Sequence, residues 1–276
     1  MKQIPIRLWP PCALAVLGVS TGLFLFFVLG SHAQAKPKKS RARLSSKPLA
    51  PKSSVEAPPA LREGEKLDYT ANFSKLSNVA TIRLAVTEKR DFYGHSAWHL
   101  QAVAHTINPM RMVYELDDQF DSYSDAGNLA GLQYEMHLSE RGQKQNAILR
   151  MTSRNAPAPS NATAAYVPEG TRDPLGLVAY LRTVNWQRQQ DVSGPVYDGR
   201  NLYDVKARLI SNSSAVTVPA GSYTTSRIEV RVYQGTVELK DTHFWLSVAH
   251  DQAHTPVLLE AETPIGVARL ELSHAQ

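Results

Sequence analysis

The chain has 276 residues, of which 43% are hydrophobic and 20% are charged. This length predicts one or two domains, and this composition excludes a wholly disordered chain and a polytopic membrane protein. The single cysteine, Cys12, excludes a disulfide framework and any zinc or iron–sulfur site that needs several cysteines. The formal net charge of +5 comes from the first 60 residues, because residues 61–276 carry 21 basic and 24 acidic side chains. A basic groove is therefore not expected, and no nucleic-acid partner is predicted.

The N-terminal segment has the layout of an export signal. Lys2 and Arg7 precede an uncharged apolar run over residues 12–30, and Ala33-Gln34-Ala35 follows as a small-residue cleavage site. We predict a signal peptide over residues 1–35. The alternative is an uncleaved anchor to the inner membrane, helical over about residues 12–30, because this run approaches the ~20 residues that span a bilayer. Both interpretations export the rest of the chain, so the predicted location is the periplasm or cell envelope.

Residues 36–60 are predicted to form a disordered linker. They contain five prolines and no aromatic residue, so they cannot bury enough apolar surface to fold. Proline and self-repelling positive charge keep such a segment extended. One interpretation is a passive spacer, and the other is a tether to the membrane surface or to wall polymers through basic residues. Those residues are Lys36, Lys38, Lys39, Arg41 and Arg43.

From Leu61 onward the hydrophobic pattern has a period of two. Ile82, Leu84 and Val86 alternate with polar residues, which is typical of a strand with one buried face. The other predicted strands are Lys66–Phe73, Ala97–His105, Val113–Tyr123, Leu132–Leu138, Asn146–Thr152, Leu202–Ile210, Arg227–Tyr233, Val237–Leu246, Pro256–Glu262 and Val267–Leu272. Turn residues separate these strands, so we predict one all-β domain over residues 61–276. It is mainly antiparallel, a strongly curved sheet or an open β-barrel.

Three other segments differ from this pattern. Asp173–Asn185 predicts an amphipathic α-helix that packs on the sheet, because Asp173 suits the N-cap and Pro174 the first helical position. Asp198-Gly199 predicts a hairpin turn. Ser153–Thr163 is rich in proline and polar residues, and we interpret it as a surface connection, with a lid as the alternative.

The sequence contains no motif that assigns a catalytic, cofactor-binding or metal-binding residue, and no cofactor is predicted. It has no nucleophile elbow and no phosphate-binding glycine loop. His250, Asp251 and His254 could ligate a divalent ion, but a solvated loop is the preferred interpretation. The carboxylates considered for catalysis are Glu260 and Glu262 on one strand face, and Asp118 within the acidic cluster Asp117, Asp118 and Asp121.

The second half of the chain resembles a known bacterial envelope family, the domain of unknown function 3108. The resemblance rests on an ordered series of short segments: Asp173-Pro174-Leu175-Gly176, Tyr180-Leu181-Arg182, Pro195-Val196-Tyr197-Asp198-Gly199, Tyr203-Asp204-Val205, Val216–Tyr223, Arg227-Ile228-Glu229-Val230, Phe244-Trp245-Leu246-Ser247, Thr255-Pro256-Val257 and Pro264-Ile265-Gly266. The opening Gly64-Glu65-Lys66-Leu67 with Tyr69 also resembles that family, so the resemblance covers about Leu61–Leu272. It implies an exported, mostly antiparallel β protein and no known activity or catalytic residue.

Three functions are compatible with these patterns. The preferred hypothesis is a non-catalytic envelope protein that binds a lipid or other apolar ligand in the cavity of a curved sheet. The alternative is a structural or interaction scaffold that contacts other envelope proteins. A wall-acting hydrolase is the least favoured hypothesis, because no catalytic motif is found; its best candidate residues would be Glu260, Glu262 and Asp118.

Overall fold

The computed structural model describes residues 61–152, 162–240 and 242–276. The predicted signal peptide, the predicted linker and most of the predicted 153–163 connection lie outside the described residues. The first half contains β1 (Lys66–Phe73), β2 (Leu76–Phe92), β3 (His95–Thr106), α1 (Met110–Val113), β4 (Asp117–Asp125), β5 (Gly131–Glu140), β6 (Gln143–Thr152) and β7 (Thr163–Tyr166). The second half contains α2 (Pro174–Thr183), β8 (Asp191–Tyr197), β9 (Leu202–Val218), β10 (Gly221–Gln234), β11 (Val237–Glu238), β12 (His243–Ala249), β13 (Pro256–Thr263) and β14 (Gly266–Ala275).

The strands form one large sheet, which confirms the predicted all-β, mainly antiparallel fold. Their order is β7-β6-β5-β4-β3-β2-β1-β14-β13-β12-β10-β9-β8, and β11 pairs with β10 beside this path. Only β6 and β7 pair in parallel among the strands that the structure describes. The first and last strands, β1 and β14, pair at the middle of the sheet, so both ends of the described chain meet there.

The two edges of this open sheet are bridged by the segment Thr163–Arg172. Its start pairs with β6 as strand β7. Its end pairs with β8, where the Arg172 amide donates to the Pro195 carbonyl at 3.0 Å and the Tyr197 amide donates to the Arg172 carbonyl at 2.8 Å. Covered edges lose the unpaired amides that promote aggregation. The sheet therefore curves far enough for one short segment to reach both edges.

The inward face of the sheet carries the alternating apolar residues. One row crosses five neighbouring strands, and its members are Ile228, Leu246, Leu259, Leu270 and Ala71, each at most 4% exposed. A neighbouring row pairs Tyr69 with Leu272 on one side and with Ile82 on the other. Period-two alternation thus turns one side of every strand toward a common core.

Helix α2 lies against this inward face. Asp173 is its N-cap and accepts a hydrogen bond from the Gly176 amide at 2.9 Å, while Pro174 occupies the first position, as predicted. Its Ala179 packs in a cluster with Val86, Leu100 and Leu129. The helix ends at Thr183, two residues before the predicted end. Within the described residues, neither helix has the length and apolarity that crossing a membrane requires.

Two predicted strands include residues that lie outside the strands of the structure, and the cause in each case is a local turn, whereas the strands predicted over 202–210 and 227–233 are longer than predicted. Val113 belongs to helix α1 rather than to a strand, because Arg111 pairs with Glu115 and Asp117 at 2.7 Å each and holds one helical turn between β3 and β4. The predicted strand Val237–Leu246 is divided into β11 and β12. After β10 the chain makes a tight turn, and only Val237 and Glu238 pair back with β10, as strand β11. The chain then continues to β12, which also pairs with β10.

The predicted hairpin at Asp198-Gly199 is present between β8 and β9. The Asp198 carboxylate accepts hydrogen bonds from the amides of Arg200 and Asn201, at 2.7 and 2.6 Å. Gly199 has a φ of +97°, which side chains with a Cβ rarely adopt. A Cβ there would also lie 2.6 Å from the Met136 side chain, so the turn packs against β5.

Candidate functional site

A cavity of about 1070 Å³ opens at the end of the sheet where helix α2 ends. We call it the mouth cavity. Its apolar and aromatic lining consists of Leu61, Trp98, Leu129, Tyr180, Val184 and Trp186. Its polar lining includes Lys89, Arg188, Asn212, Ser226, His250 and His254. The volume is slightly above the range of about 300–1,000 Å³ that is typical of small-molecule sites.

The aromatic wall is held in place by contacts around the helix end. Trp186 follows α2, and its indole N–H donates to the Leu181 carbonyl at 3.0 Å, so the ring folds back onto the helix. Tyr180 is covered on one ring face by the Arg172 guanidinium at 3.6 Å. Trp98 comes from β3 and packs beside Tyr180 in the same cluster. These rings therefore offer a fixed apolar surface rather than mobile side chains.

The opposite wall carries a chain of three polar side chains. Ser226 on β10 donates its hydroxyl proton to Asn212 Oδ1 at 2.7 Å, and its Oγ lies 3.1 Å from His250 Nε2. The register between β9 and β10 shifts at this level, between Thr225 and Arg227 and again before Ile228. Such β-bulges redirect side chains and are common next to functional sites. Here the extra residues of β9 bring Asn212 beside Ser226.

A second bulge directs a cation toward the cavity. The register between β2 and β3 shifts between Val86 and Glu88, after which Lys89 pairs with Trp98. Lys89 Nζ then lies 5.4 Å from the centre of the Trp98 ring, a cation–π distance. Without the extra residue, Glu88 would face the same side of the sheet as Val86, and an acidic side chain would take the place of Lys89 beside Trp98.

A buried ion pair lies between the last turn of α2 and the sheet. Arg182 on α2 donates to both carboxylate oxygens of Glu65, at 2.7 and 2.8 Å, and both side chains are at most 8% exposed. Arg182 also donates to the carbonyl oxygens of Ala253 and His254. Between α2 and the sheet at this point, the free space is only about 40 Å³. The helix–sheet interface is therefore nearly filled at this point, whereas the mouth cavity lies beyond the end of α2.

The N-terminal end of α2 is buried in a separate polar cluster. Asp173 is fully buried, and its Oδ2 accepts a hydrogen bond from Ser122 Oγ at 2.6 Å. Ser122 in turn contacts Ser124 at 2.8 Å. Burial raises the pKa of Asp173, and the donated hydrogen bonds from Ser122 and the Gly176 amide partly offset the rise. This cluster anchors the helix and offers no open space for a ligand.

The carboxylates considered for catalysis do not meet. Glu260 lies on the outward face of β13 between two cations, 2.8 Å from Arg227 and 3.3 Å from Arg269. Glu262 is exposed two residues further along the same strand. Asp118 is on β4 and 4% exposed, and it accepts a hydrogen bond from the Ser139 amide at 2.9 Å. β4 is five strands away from β13 in the sheet, so no common site joins the three.

The groups around Asp118 shift its pKa in opposite directions. Burial raises the pKa of Asp118, the Ser139 amide lowers it, and the charge of Asp117 raises it further. Asp117 differs, because the hydrogen bond from Arg111 lowers its pKa to about 2. Asp121 is held by His99, Gln101 and Gln119, whose hydrogen bonds outweigh its desolvation and lower its pKa.

The three candidate metal ligands are directed to three different partners. His250 contacts Ser226, and His254 Nδ1 contacts the Arg182 carbonyl at 2.8 Å. The Asp251 carboxylate accepts from the Thr255 amide and hydroxyl, at 2.9 and 2.6 Å. In the described part of the chain, no group of three histidine, cysteine or acidic side chains is placed to hold a metal ion.

Sequence reasoning considered two polar residues of the mouth cavity, His250 and His254, only as metal ligands, and it missed the others. Lys89, Asn212 and Ser226 carry no motif, and each depends on a bulge that brings distant residues together. One signal was present: the alternation that runs through Ile82, Leu84 and Val86 is broken at Thr87-Glu88. A break inside a long strand is the pattern that a bulge leaves in a sequence.

Comparison with known proteins identifies the family. A sequence model described as protein of unknown function (DUF3108) matches residues 68–273. The chain belongs to this family. No protein with a curated description matches the chain in sequence.

Several solved structures are similar to this chain. A beta-barrel-like protein of the domain of unknown function DUF1849 from Brucella abortus is 8% identical, with a TM-score of 0.49, and the match covers 79% of this chain and 99% of that chain. A predicted lipoprotein from Parabacteroides distasonis is 11% identical, with a TM-score of 0.38, over 80% of this chain and 100% of that chain. A predicted exported protein with a YmcC-like fold from Bacteroides fragilis is 9% identical, with a TM-score of 0.31, and the match covers 80% of this chain and 99% of that chain.

Proposed function

We propose that this DUF3108 protein is an exported, non-catalytic binding protein of the cell envelope, and that its ligand occupies the mouth cavity. The observation that supports this role most strongly is the contrast in free volume around α2: about 40 Å³ between helix and sheet, and about 1070 Å³ at the helix end. The predicted export signal over residues 1–35 supports the location. The ligand is a small molecule with a substantial apolar part.

The lining of the cavity favours binding over chemistry. Trp98, Tyr180 and Trp186 supply a fixed apolar wall, and aromatic walls with a few polar groups are typical of small-molecule sites. The acidic residues weighed for hydrolysis, Glu260 and Asp118, lie outside the cavity lining. The ligand therefore enters at the end of the sheet and does not penetrate the filled core.

A neutral, environment-sensitive dye tests the binding role without assuming a charged ligand. We expect Nile red to bind the protein, purified from the exported fraction without detergent, with a saturable rise in fluorescence. Filling the cavity by Ala126→Trp should abolish that rise, because Ala126 lines the cavity. A matched variant, Leu76→Trp, adds an indole at an exposed site at the other end of β2 and should leave binding unchanged. Equal fluorescence in all three proteins would refute the proposal.

A second candidate function, a scaffold that contacts another envelope protein, is supported by one surface. Met112 and Val113 on α1 are 84% and 79% exposed, and they follow the end of β3 that is remote from Trp98. Large apolar side chains this exposed are typical of contact surfaces when they cluster. A photoreactive residue in place of Met112 should then form a crosslink to one reproducible partner in intact cells. The same residue in place of Lys144, an exposed position on β6, provides the control.

A further inference from the structure

The mouth cavity has a one-sided charge. None of the described residues that line it is an aspartate or a glutamate, whereas Lys89 and Arg188 both line it. Four nearby acids already have partners: Glu88 pairs with Arg90 at 3.0 Å and Glu65 with Arg182, while Asp125 and Asp251 accept hydrogen bonds from the amides of Gly127 and Thr255. A concave site lined by charges of one sign concentrates ligands of the opposite sign. The cavity therefore favours an anion.

The polar wall adds hydrogen-bond donors to this charge. Ser226 has a single hydroxyl proton and gives it to Asn212 Oδ1, so His250 Nε2 donates to Ser226 Oγ. This direction leaves the Asn212 side-chain amide with both of its N–H groups as donors. Asn212 is exposed at the cavity edge, while Ser226 is 5% exposed beneath it. The chain of hydrogen bonds thus fixes Asn212 with its donors available to an acceptor.

Apolar and polar walls face the same open volume. The rings of Trp98, Tyr180 and Trp186 come from β3 and from the end of α2. Asn212, Ser226 and His250 come from β9, β10 and the connection after β12. A ligand that satisfies both walls has an apolar chain at one end and an acceptor at the other.

We propose that the ligand of the mouth cavity is an amphipathic anion, an acyl or alkyl chain that ends in a carboxylate or a phosphate. This inference rests on the binding role proposed above and names the ligand class. The chain packs on the aromatic wall, and the head group accepts from the Asn212 amide in the positive field of Lys89 and Arg188. The carboxylate and phosphate share this chemistry, so the test includes both.

Calorimetric titration with four probes of equal chain length separates charge from apolar contact. The probes are dodecanoate, dodecyl phosphate, dodecanol and dodecyltrimethylammonium, added below their aggregation concentrations to the detergent-free exported protein. We expect at least one of the two anions to bind about tenfold more tightly than dodecanol, the gain of one charge-assisted hydrogen bond. The cation should bind more weakly than dodecanol. Tighter binding of dodecyl phosphate than dodecanoate, or the reverse, identifies the head group.

Three variants connect the preference to the named residues. Lys89→Gln and Asn212→Leu should each reduce the preference for the anion over dodecanol several-fold and leave dodecanol binding unchanged. Lys144→Gln removes the same charge from an exposed site outside the cavity and should change neither value. An unchanged melting temperature confirms that each variant folds.

The outcomes distinguish the two proposals. Equal binding of dodecanoate, dodecyl phosphate and dodecanol would overturn the anionic ligand while keeping the binding role. Tighter binding of the cation would overturn it as well. Failure of all four probes, together with failure of Nile red, would overturn the binding role itself. An anion preference that Lys89→Gln and Asn212→Leu leave intact would overturn the assignment to these residues.

Discussion

The two ends of helix α2 have opposite surroundings. At its N-terminal end, Asp173 is 0% exposed and is enclosed by Ser122, Ser124 and the first turn of the helix. At its C-terminal end, the helix opens onto about 1070 Å³ of free volume beside Tyr180 and Trp186. The first end fixes the helix to the sheet, and the second leaves space for a ligand. The last turn is itself still held to the sheet by the buried pair of Arg182 and Glu65, so the open volume lies beyond the end of the helix.

The largest effect should follow from breaking the buried ion pair in the last turn of α2. Arg182→Ala leaves the carboxylate of Glu65 buried without a partner, which costs about 3–5 kcal/mol of unfolding free energy in comparable pairs. Urea unfolding of the variant measures the loss. The double variant Glu65→Leu/Arg182→Met replaces both charges by apolar side chains and should recover most of it. A single variant as stable as the wild type would show that the pair does not hold α2.

The closed end should be less sensitive than the ion pair. Asp173→Ala removes the N-cap acceptor and leaves the Ser122 hydroxyl without its partner, for an expected loss of about 1–2 kcal/mol. Thermal unfolding of Asp173→Asn supplies the control, since asparagine caps a helix as well as aspartate does. Equal losses for alanine and asparagine would mean that charge, rather than capping, matters at this position.

Strand β4, which contacts the N-terminal end of α2, carries two aspartates whose pKa values are shifted in opposite directions. Burial raises the pKa of Asp118, so its contribution to stability is full below pH 3.8 and is lost as pH rises through its folded pKa. The hydrogen bond from Arg111 lowers the pKa of Asp117, so its contribution is full above pH 3.8 and is lost as pH falls toward 2. Stability curves of Asp118→Asn and Asp117→Asn against the wild type measure both slopes.

The stabilities of these two variants should depart from that of the wild type over different pH ranges. Relative to the wild type, Asp118→Asn should gain stability as pH rises from 4 toward neutrality, as the raised pKa requires. Asp117→Asn should lose stability relative to the wild type as pH rises from 2 to 4. Parallel curves would contradict the assigned environments.

The smallest effect on stability is expected at the open end. His250→Ala removes an exposed side chain whose hydrogen bond in the described part of the chain is to Ser226, so the unfolding free energy should change by about 0.5 kcal/mol or less. The same variant should weaken the preference for the anion over dodecanol, because His250 orients Asn212 through Ser226. A large loss of stability would instead make the polar wall part of the core and remove the contrast between the two ends.

The sequence predicts the strands and the helix α2 better than it predicts the mouth cavity. Alternating residues such as Ile82 and Leu84 predict strands because the period of two is local, and Asp173-Pro174 predicts the start of α2 because capping is local too. The family resemblance was also correct. The polar wall could not be predicted, since Asn212, Ser226 and His250 meet only when the sheet curves and β9 bulges. The carboxylates Glu260 and Asp118 were attractive in sequence, yet they lie five strands apart on the sheet.

A crystal of the protein grown with ω-bromododecanoate tests the central claim most directly, because the bromine marks the end of the chain by anomalous scattering. Our account predicts one bromine site against the wall of Trp98, Tyr180 and Trp186, with the carboxylate at Asn212 and the helix–sheet interface unoccupied. Bromine between α2 and the sheet, or only on the outer face of the molecule, would contradict it.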